Sequence, residues 1–249
     1  MQAWVSARKG FCHATVKVHP LAGLSSASPA RYITTGAKSV FKDAKSAEFL
    51  AAVADRNSFP RLNRIPEVIV TGRANVGKSS LLNAVLGRKD LLFTSKKAGR
   101  TQTLNFYRVG QHPGRLVVVD SPGYGARGRP EWGAVFHHYL ETRDELRRIY
   151  VLLAATHGVT PADQAMLSSL DAQVQAVAGT QFTLQAIITK ADTLHREGRE
   201  QVEQIRKDVF KASPTCLPPI ITACPTSGGV SSLGVEEVRR SIVEACGIV

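Results

Sequence analysis

The sequence predicts an α/β domain with a mostly parallel, six-stranded sheet that is covered by helices on both faces. Three observations lead to this prediction. Short, continuous apolar segments alternate with longer helical patterns, which is typical of parallel strands buried between helices. A glycine-containing loop of the phosphate-binding type lies at the first junction between such a strand and a helix. Hydrophobic residues make up 43% of the 249 residues, enough to bury a sizeable core.

The segment ahead of this domain is predicted to be an N-terminal extension over residues 35–65. Asp43 or Ser46 begins a short predicted helix that continues through Phe49–Ala54. Two prolines then frame an irregular connection. The α/β domain itself is predicted to occupy residues 66–249.

Strands and helices alternate along the domain, and ligands of such sheets bind beyond the carboxyl ends of the strands. The predicted strands are short apolar runs: Val68–Val70, Leu104–Val109, Leu116–Val119, Tyr150–Leu153, Gln185–Ile188 and Ile220–Thr222. The predicted helices are Lys78–Leu86, Trp132–Leu146, Asp163–Val174, Arg199–Phe210 and Val235–Ala245. The first helix is closed by Gly87, since glycine suits the position after a helix C-terminus.

The N-terminal residues have the composition of a targeting sequence. Residues 1–42 contain six Lys or Arg and no Asp or Glu, together with many Ser and Thr. Arg31–Thr35 resembles a mitochondrial processing site, so residues 1–34 are predicted to be a mitochondrial transit peptide and the mature protein to reside in the matrix. Import into the chloroplast is the alternative localisation. The alternative role for this segment is a disordered basic tail that touches nucleic acid.

Composition excludes several classes of protein. The longest apolar run, Ile149–Ala155, is too short to cross a bilayer, so no membrane span is expected. The four cysteines form no CxxC pair, which argues against a disulfide scaffold or a structural zinc site. The formal charge is +12, and it remains +6 without the basic residues of the first 42 positions, which favours a polyanionic partner. We expect the protein to be a monomer.

The segment Gly72–Ser79 matches the phosphate-loop pattern G-x-x-x-x-G-K-[ST] between a strand and a helix. Its glycines allow the backbone to wrap a phosphate, and the N–H groups of the helix N-terminus face the negative charge. Lys78 is predicted to reach the β- and γ-phosphates, and the Ser79 hydroxyl to bind Mg²⁺. The predicted nucleotide-binding residues here are Gly72, Arg73, Ala74, Asn75, Val76, Gly77, Lys78, Ser79 and Ser80.

A second motif follows the strand Leu116–Val119. A carboxylate at this strand end faces the phosphate loop, so Asp120 is expected to hold Mg²⁺ through a water molecule. Ser121 and Pro122 lead to Gly123, whose N–H is placed to sense a γ-phosphate. Taken alone, Asp-Ser-Pro-Gly is also an ordinary turn.

The third motif points to guanine as the base. Thr189, Lys190, Ala191 and Asp192 follow the strand Gln185–Ile188. An ionised Asp192 accepts from both N1–H and the 2-amino group of guanine, whereas adenine leaves the carboxylate unpaired. Backbone N–H groups of Thr222, Ala223 and Cys224, after the last strand, are candidates to bind the guanine O6.

With these residues placed, the chain resembles the EngB/YihA family of Ras-like GTPases from about Asp43 to the C-terminus. The most specific stretches are Gly72–Asn83 and Ala98–Phe106, followed by Asp120–Gly125 and Trp132-Gly133. The resemblance implies a Ras-like fold and a role in assembly of the large ribosomal subunit. It also implies that Thr101 binds Mg²⁺ in the GTP state, and that Gly99, Arg100, Thr101, Gln102 and Thr103 wrap the γ-phosphate.

The resemblance also shapes the expected mechanism. Lys78, Thr101 and Gly123 are the predicted catalytic groups, acting by position and charge. Ras-type enzymes orient water with a Gln where this chain has Tyr124, so we expect slow intrinsic hydrolysis that a partner accelerates. Asn75 stands where related GTPases use Asn to hold K⁺, which makes potassium a candidate cofactor beside GTP, GDP and Mg²⁺.

Basic residues near the nucleotide loops suggest the partner. They bracket the two switch segments and are suited to ribosomal RNA; they are Arg88, Lys89, Lys96, Lys97, Arg100, Arg127 and Arg129. The predicted function is a GTPase switch that engages RNA and proteins of the mitochondrial large ribosomal subunit. A second hypothesis is a GTP-regulated binding module in organelle division, with incidental turnover. A third, a P-loop nucleotide kinase or ATPase, fits Asp192 poorly.

Overall fold

A computed structural model describes residues 40–41, 47–88, 91–92, 103–112, 114–125, 130–194, 198–224 and 232–248. Within these residues, seven strands form one sheet in the order β1-β3-β4-β2-β5-β6-β7. The strands are β1 (Glu48–Val53), β2 (Glu67–Gly72), β3 (Leu104–Val109), β4 (Leu116–Asp120), β5 (Leu146–Ala154), β6 (Thr183–Thr189) and β7 (Leu217–Ile221).

Five helices accompany the strands in the described part of the chain. They are α1 (Lys78–Val85), α2 (Pro130–Thr142), α3 (Pro161–Ala176), α4 (Gly198–Ala212) and α5 (Val235–Ala245), and a 3₁₀ turn spans Ala191–Thr193. Among the described residues, none of the helices has the length and apolar character that a membrane crossing requires.

The sheet is mostly parallel, and its direction brings three predicted motifs to one edge. Strands β4, β2, β5, β6 and β7 are parallel neighbours, while β3 runs antiparallel to both β4 and β1. Val70 of β2 pairs with Asp120 of β4, and Ala154 of β5 pairs with Thr189 of β6. The carboxyl ends of β2, β4 and β6 therefore lie at the same edge of the sheet, with β5 between β2 and β6.

Helices cover both faces of the sheet, as predicted. Alternate residues of the central strands divide into two buried clusters, because successive side chains of a strand point to opposite faces. Val68 and Val70 of β2 lie in the cluster with α1 and α5, whereas Ile69 lies in the cluster with α2, α3 and α4. Tyr150 and Val151 of β5 divide between the two clusters in the same way.

The helix predicted through Phe49–Ala54 is wrong, because this segment is strand β1. Its residues pair antiparallel with β3, from Glu48 opposite Arg108 to Val53 opposite Leu104. Val53 is buried in the core. The free edge of β3 thus overrides the local helical pattern. The sheet gains a seventh strand, and the folded unit begins ahead of residue 66.

The second difference concerns the end of α2, which was predicted to reach Leu146. The helix stops at Thr142, and Leu146 is instead the first residue of β5. The Arg143 side chain donates to both carboxylate oxygens of Glu67 and to the carbonyl of Pro60. This buried ion pair lies at the turn between α2 and β5 and joins it to the start of β2.

Candidate functional site

The phosphate loop connects β2 directly to α1. Asn75 and Gly77 have left-handed backbones, with φ of 63° and 99°. A Cβ on Gly72 would lie 2.8 Å from Cγ1 of Val76, so the loop folds tightly over the end of β2. The result is the compact turn that the glycine spacing predicted.

Helix α1 begins at Lys78, with Ser79 and Ser80 in its first turn. The N-cap residue is Gly77, which has no side chain to accept from the first N–H groups of the helix. The first N–H groups of a helix have no partner within the helix and carry its partial positive charge. This end of α1 is therefore suited to phosphate oxygens.

Lys78 and Asp120 meet at the carboxyl edge of the sheet. Their side chains form an ion pair, and both are largely shielded from solvent. Burial raises the pKa of Asp120, while the Lys78 charge and a hydrogen bond from Asn105 oppose that rise. The site thus holds a cation for phosphate beside a carboxylate for metal, and the Ser79 hydroxyl and Asp120 carboxylate are oxygen donors of the kind Mg²⁺ takes.

The segment after Asp120 runs along the phosphate loop. Ser121 N–H donates to the carbonyl of Val70 at 3.0 Å, and Tyr124 N–H donates to that of Gly72 at 3.3 Å. Gly123 lies so close to the loop that an added Cβ would be 3.1 Å from the Ala74 nitrogen. The predicted γ-phosphate sensor is therefore at the loop.

The guanine motif is hydrogen-bonded to the phosphate loop. The buried Thr189 hydroxyl lies 2.6 Å from the Val76 carbonyl and 3.2 Å from that of Leu153. Lys190 Nζ donates to the carbonyl of Asn75 at 2.7 Å. The groups predicted to recognise the base and those predicted to hold the phosphates thus belong to one hydrogen-bonded unit.

Asp192 is exposed in the 3₁₀ turn, in the position expected of a group that reads a base. Ala191 N–H donates to the carbonyl of Thr222 at 3.1 Å, which joins the ends of β6 and β7. Burial raises the pKa of the Cys224 thiol, and the Asp192 charge adds to the rise. Asp192 and the Thr222–Cys224 segment are therefore neighbours.

Two of the three backbone donors predicted for guanine O6 are already used. Thr222 N–H donates to the carbonyl of Ile188 at 2.7 Å, and Ala223 N–H donates to that of Leu233 at 3.2 Å. The prediction is therefore corrected for Thr222 and Ala223, because the Ile188 carbonyl of β6 accepts from the first and an isolated bridge to Leu233 engages the second. Within the described hydrogen bonds, the Cys224 N–H remains for this role.

Part of the predicted site lies outside the described residues. This holds for Gly99, Arg100, Thr101 and Gln102, for the transit peptide at residues 1–34, and for Lys89, Lys96, Lys97, Arg127 and Arg129. Thr103 is described, and its hydroxyl donates to Oδ1 of Asn105 at 2.8 Å.

Sequence reasoning missed two polar contacts beside the site. Asn83 of α1 exchanges hydrogen bonds with the backbone of Leu92, at 2.8 and 2.9 Å. Arg73 of the phosphate loop turns to Asp163 on α3, and Nε lies 3.1 Å from both carboxylate oxygens. Asp163 stands three residues after Thr160, a spacing that signals a capping box, but nothing in the sequence identifies Arg73 as its partner.

This fold and site define a Ras-like P-loop GTPase. Residues 67–186 match the family of 50S ribosome-binding GTPases. The chain is 38% identical over 193 residues to the GTP-binding protein EngB of Roseobacter denitrificans, covering 75% of this chain and 84% of that one. It is 39% identical over 194 residues to EngB of Heliobacterium modesticaldum, covering 74% and 87%.

Among solved structures, an Aquifex aeolicus Era variant bound to GDP and AlF₄⁻ superposes with a TM-score of 0.52 at 20% identity. The superposition covers 72% of this chain and 56% of Era, which shows a shared fold. The chain belongs to the EngB family of GTP-binding proteins. It is accordingly a GTPase, with GTP, GDP and Mg²⁺ as the ligands of the site described above.

Proposed function

We propose that this GTPase acts as a switch in assembly of the mitochondrial large ribosomal subunit. The observation that carries the proposal is the similarity to EngB proteins over most of their length, together with the match to 50S ribosome-binding GTPases. Without residues 1–42 the chain still has 26 Lys and Arg against 20 Asp and Glu, and this basic balance of +6 supports a partner rich in phosphate.

The arrangement of the site favours slow hydrolysis in the isolated protein. Lys78 and Mg²⁺ neutralise charge on the transferred phosphoryl group, which is the main demand of this chemistry. Tyr124 follows Gly123 but directs its hydroxyl to Asp163, 2.8 Å away, rather than acting as a water-orienting amide. A partner, or K⁺ beside Asn75, would then supply the missing stabilisation.

The potassium proposal has its own test. Single-turnover GTP hydrolysis in matched KCl and NaCl buffers should be faster in KCl, and Asn75→Asp should change that preference. Equal rates of the wild-type protein in both salts would remove potassium from the mechanism, while leaving the ribosomal proposal in place.

The ribosomal proposal is tested by co-sedimentation of the protein with mitochondrial large ribosomal subunits at physiological salt. Reactions contain GDP or a non-hydrolysable GTP analogue. We expect binding that depends on the analogue, because a switch engages its client in one nucleotide state. Mature small subunits serve as the matched particle control.

Asp192→Asn provides the control variant. This variant should fail to bind the subunit in the presence of the GTP analogue. Its binding to the subunit should be restored by the corresponding xanthine analogue. Binding in neither nucleotide state, with guanine specificity intact, would contradict the ribosomal role and favour the hypothesis of a binding module in organelle division.

The proposed mitochondrial localisation is tested separately. Residues 1–42 fused to a fluorescent protein should direct it to mitochondria, since this segment has six basic and no acidic residues. The matched control changes Arg8, Lys9 and Lys17 to Glu and should abolish import. Fluorescence in the cytosol or in chloroplasts from the unaltered fusion would contradict the matrix location.

A further inference from the structure

Asp163 is a buried carboxylate that joins three parts of the nucleotide site. We call Arg73, Tyr124, Thr160 and Asp163 the Asp163 cluster. Asp163 is fully buried at the start of α3, and Arg73 Nε donates to both of its oxygens. The Tyr124 hydroxyl donates to Oδ1 at 2.8 Å. Thr160 donates to Oδ2 through its backbone N–H at 3.0 Å and its hydroxyl at 2.6 Å.

The cluster acts on the segment that senses the γ-phosphate. Tyr124 directly follows Gly123, and its backbone N–H reaches the Gly72 carbonyl at 3.3 Å, a long hydrogen bond. The hydroxyl contact with Asp163 is thus the second point at which this segment is held against the loop. Burial and the Asp163 charge raise the pKa of Tyr124, so its hydroxyl stays protonated and donates.

Arg73 gives the same carboxylate a direct contact with the phosphate loop. Arg73 forms a backbone bridge with Tyr124, and both side chains end on Asp163. A carboxylate with its lone pairs filled by three partners restrains all of them together. Movement of Gly123 away from the loop therefore disturbs the Tyr124 contact, because the two residues are adjacent in the chain.

We propose that Asp163 and Tyr124 are positioning residues for the γ-phosphate: through them, Gly123 is preorganised beside the phosphate loop. The inference deepens the GTPase assignment and is independent of the ribosomal partner. GDP lacks the γ-phosphate, so its binding does not require Gly123 to be held beside the phosphate loop. Loss of the contact between Tyr124 and Asp163 therefore weakens the binding of GTP and leaves the binding of GDP unchanged.

The structure offers a matched control for this contact. The Tyr139 hydroxyl donates to Oε2 of the buried Glu67, also at 2.8 Å, at the opposite edge of the sheet. Tyr139→Phe removes the same chemical interaction as Tyr124→Phe, and each leaves its aromatic ring in place. Both variants are expected to lower the melting temperature, but only Tyr124→Phe should alter nucleotide preference.

The experiment measures the Kd of GDP and of a non-hydrolysable GTP analogue for the full chain, by fluorescence titration at fixed Mg²⁺. Tyr124→Phe should raise the Kd of the analogue by about 10-fold, which is the scale of a hydrogen bond to a charged group. The Kd of GDP should stay within about twofold of its value in the unaltered protein. Asp163→Asn should act in the same direction. The double variant should be no worse than Asp163→Asn, since Tyr124 acts through that carboxylate.

Equal weakening of both nucleotides by Tyr124→Phe, or an unchanged ratio of the two Kd values, would overturn the proposal and leave the cluster a purely structural contact. The same selective weakening of GTP-analogue binding in Tyr139→Phe would also overturn it. Failure of the unaltered protein to bind either nucleotide would instead contradict the GTPase assignment, which keeps the two failures distinct.

Discussion

At the scale of single residues, Thr189 shows how one buried hydroxyl connects the predicted guanine motif to the phosphate loop. Its hydroxyl is 2.6 Å from the Val76 carbonyl, because the phosphate loop folds back over the end of β6. The same oxygen lies 3.2 Å from the Leu153 carbonyl. Thr189 therefore links the segment predicted to recognise the base to the phosphate loop.

Thr189→Val should weaken the binding of GDP and of GTP equally, by about 10-fold. The substitution keeps the shape but leaves the buried Val76 carbonyl without its donor, a loss of about 1–3 kcal/mol. Isothermal titration with both nucleotides checks this. Thr189→Ser, which retains the hydroxyl, should bind like the unaltered protein, and a Val variant with unchanged affinities would refute the coupling.

Asp192→Asn should shift preference from guanine to xanthine nucleotides. The amide presents a donor where guanine also has one, whereas the 2-oxo group of xanthine accepts from it. Competition binding with GDP and xanthosine diphosphate measures the shift. The exposed Asp144, at the opposite edge of the sheet, offers the control Asp144→Asn. If Asp192→Asn keeps its guanine preference, another group reads the base.

At the scale of elements, buried polar contacts hold the helices around the site in register with the sheet. Asp171 on α3 accepts from the Ser213 hydroxyl at 2.7 Å and from the Thr215 hydroxyl at 2.6 Å. Both partners lie between α4 and β7. One carboxylate thus joins α3 to the connection that leads into the last strand.

This contact predicts a pH dependence of stability. Burial raises the pKa of Asp171, but hydrogen bonds from Thr215 and Ser213 outweigh it, so the net pKa lies below the ordinary 3.8. A carboxyl with a lowered folded-state pKa stabilises the fold above its unfolded pKa and loses that contribution as the pH falls through the lowered value.

Asp171→Asn should therefore lower the free energy of unfolding by about 1–3 kcal/mol at pH 7 and have less effect below about pH 4. Urea unfolding between pH 3 and 7 measures the difference. Asp208→Asn is the control, because the Asp208 carboxylate accepts from Gln204 within α4 itself and does not join two elements through that bond. A difference that is constant with pH would show that the Asp171 charge has no part in the contact.

At the scale of the whole molecule, residues ahead of the predicted domain boundary belong to the folded unit. Val40 and Phe41 are buried in the core. The Arg239 guanidinium of α5 lies 5.6 Å from the centre of the Phe41 ring, and Arg88 donates to the Ala47 carbonyl at 3.2 Å. The chain then enters the sheet as β1.

We expect a chain that begins at residue 40 to retain GDP binding and a chain that begins at residue 55 to lose stability. The shorter chain lacks β1, uncovers the edge of β3 and removes the buried Phe41 and Val53. An uncovered strand edge also promotes aggregation. Thermal unfolding and size-exclusion chromatography compare the two, and equal melting temperatures would contradict the role of β1.

Local patterns in the sequence were sufficient to predict many of the strands and helices of this protein and its phosphate loop. The phosphate loop, strand β3 at Leu104–Val109 and helix α5 at Val235–Ala245 were all predicted, because glycine spacing and apolar periodicity are local properties. The placement of Asp120 and Asp192 at the carboxyl edge also followed, since parallel strands end together.

Only the tertiary structure decided the identity of β1, the availability of backbone donors after β7, and the partners of Asp163. Each depends on residues far apart in the chain: β1 on the edge of β3, Ala223 on Leu233, and Asp163 on Arg73 and Tyr124. A sequence determines which segments form strands and helices by local pattern. Hydrogen bonds across the fold then determine where each polar group finds its partner, because burial makes an unpaired group costly.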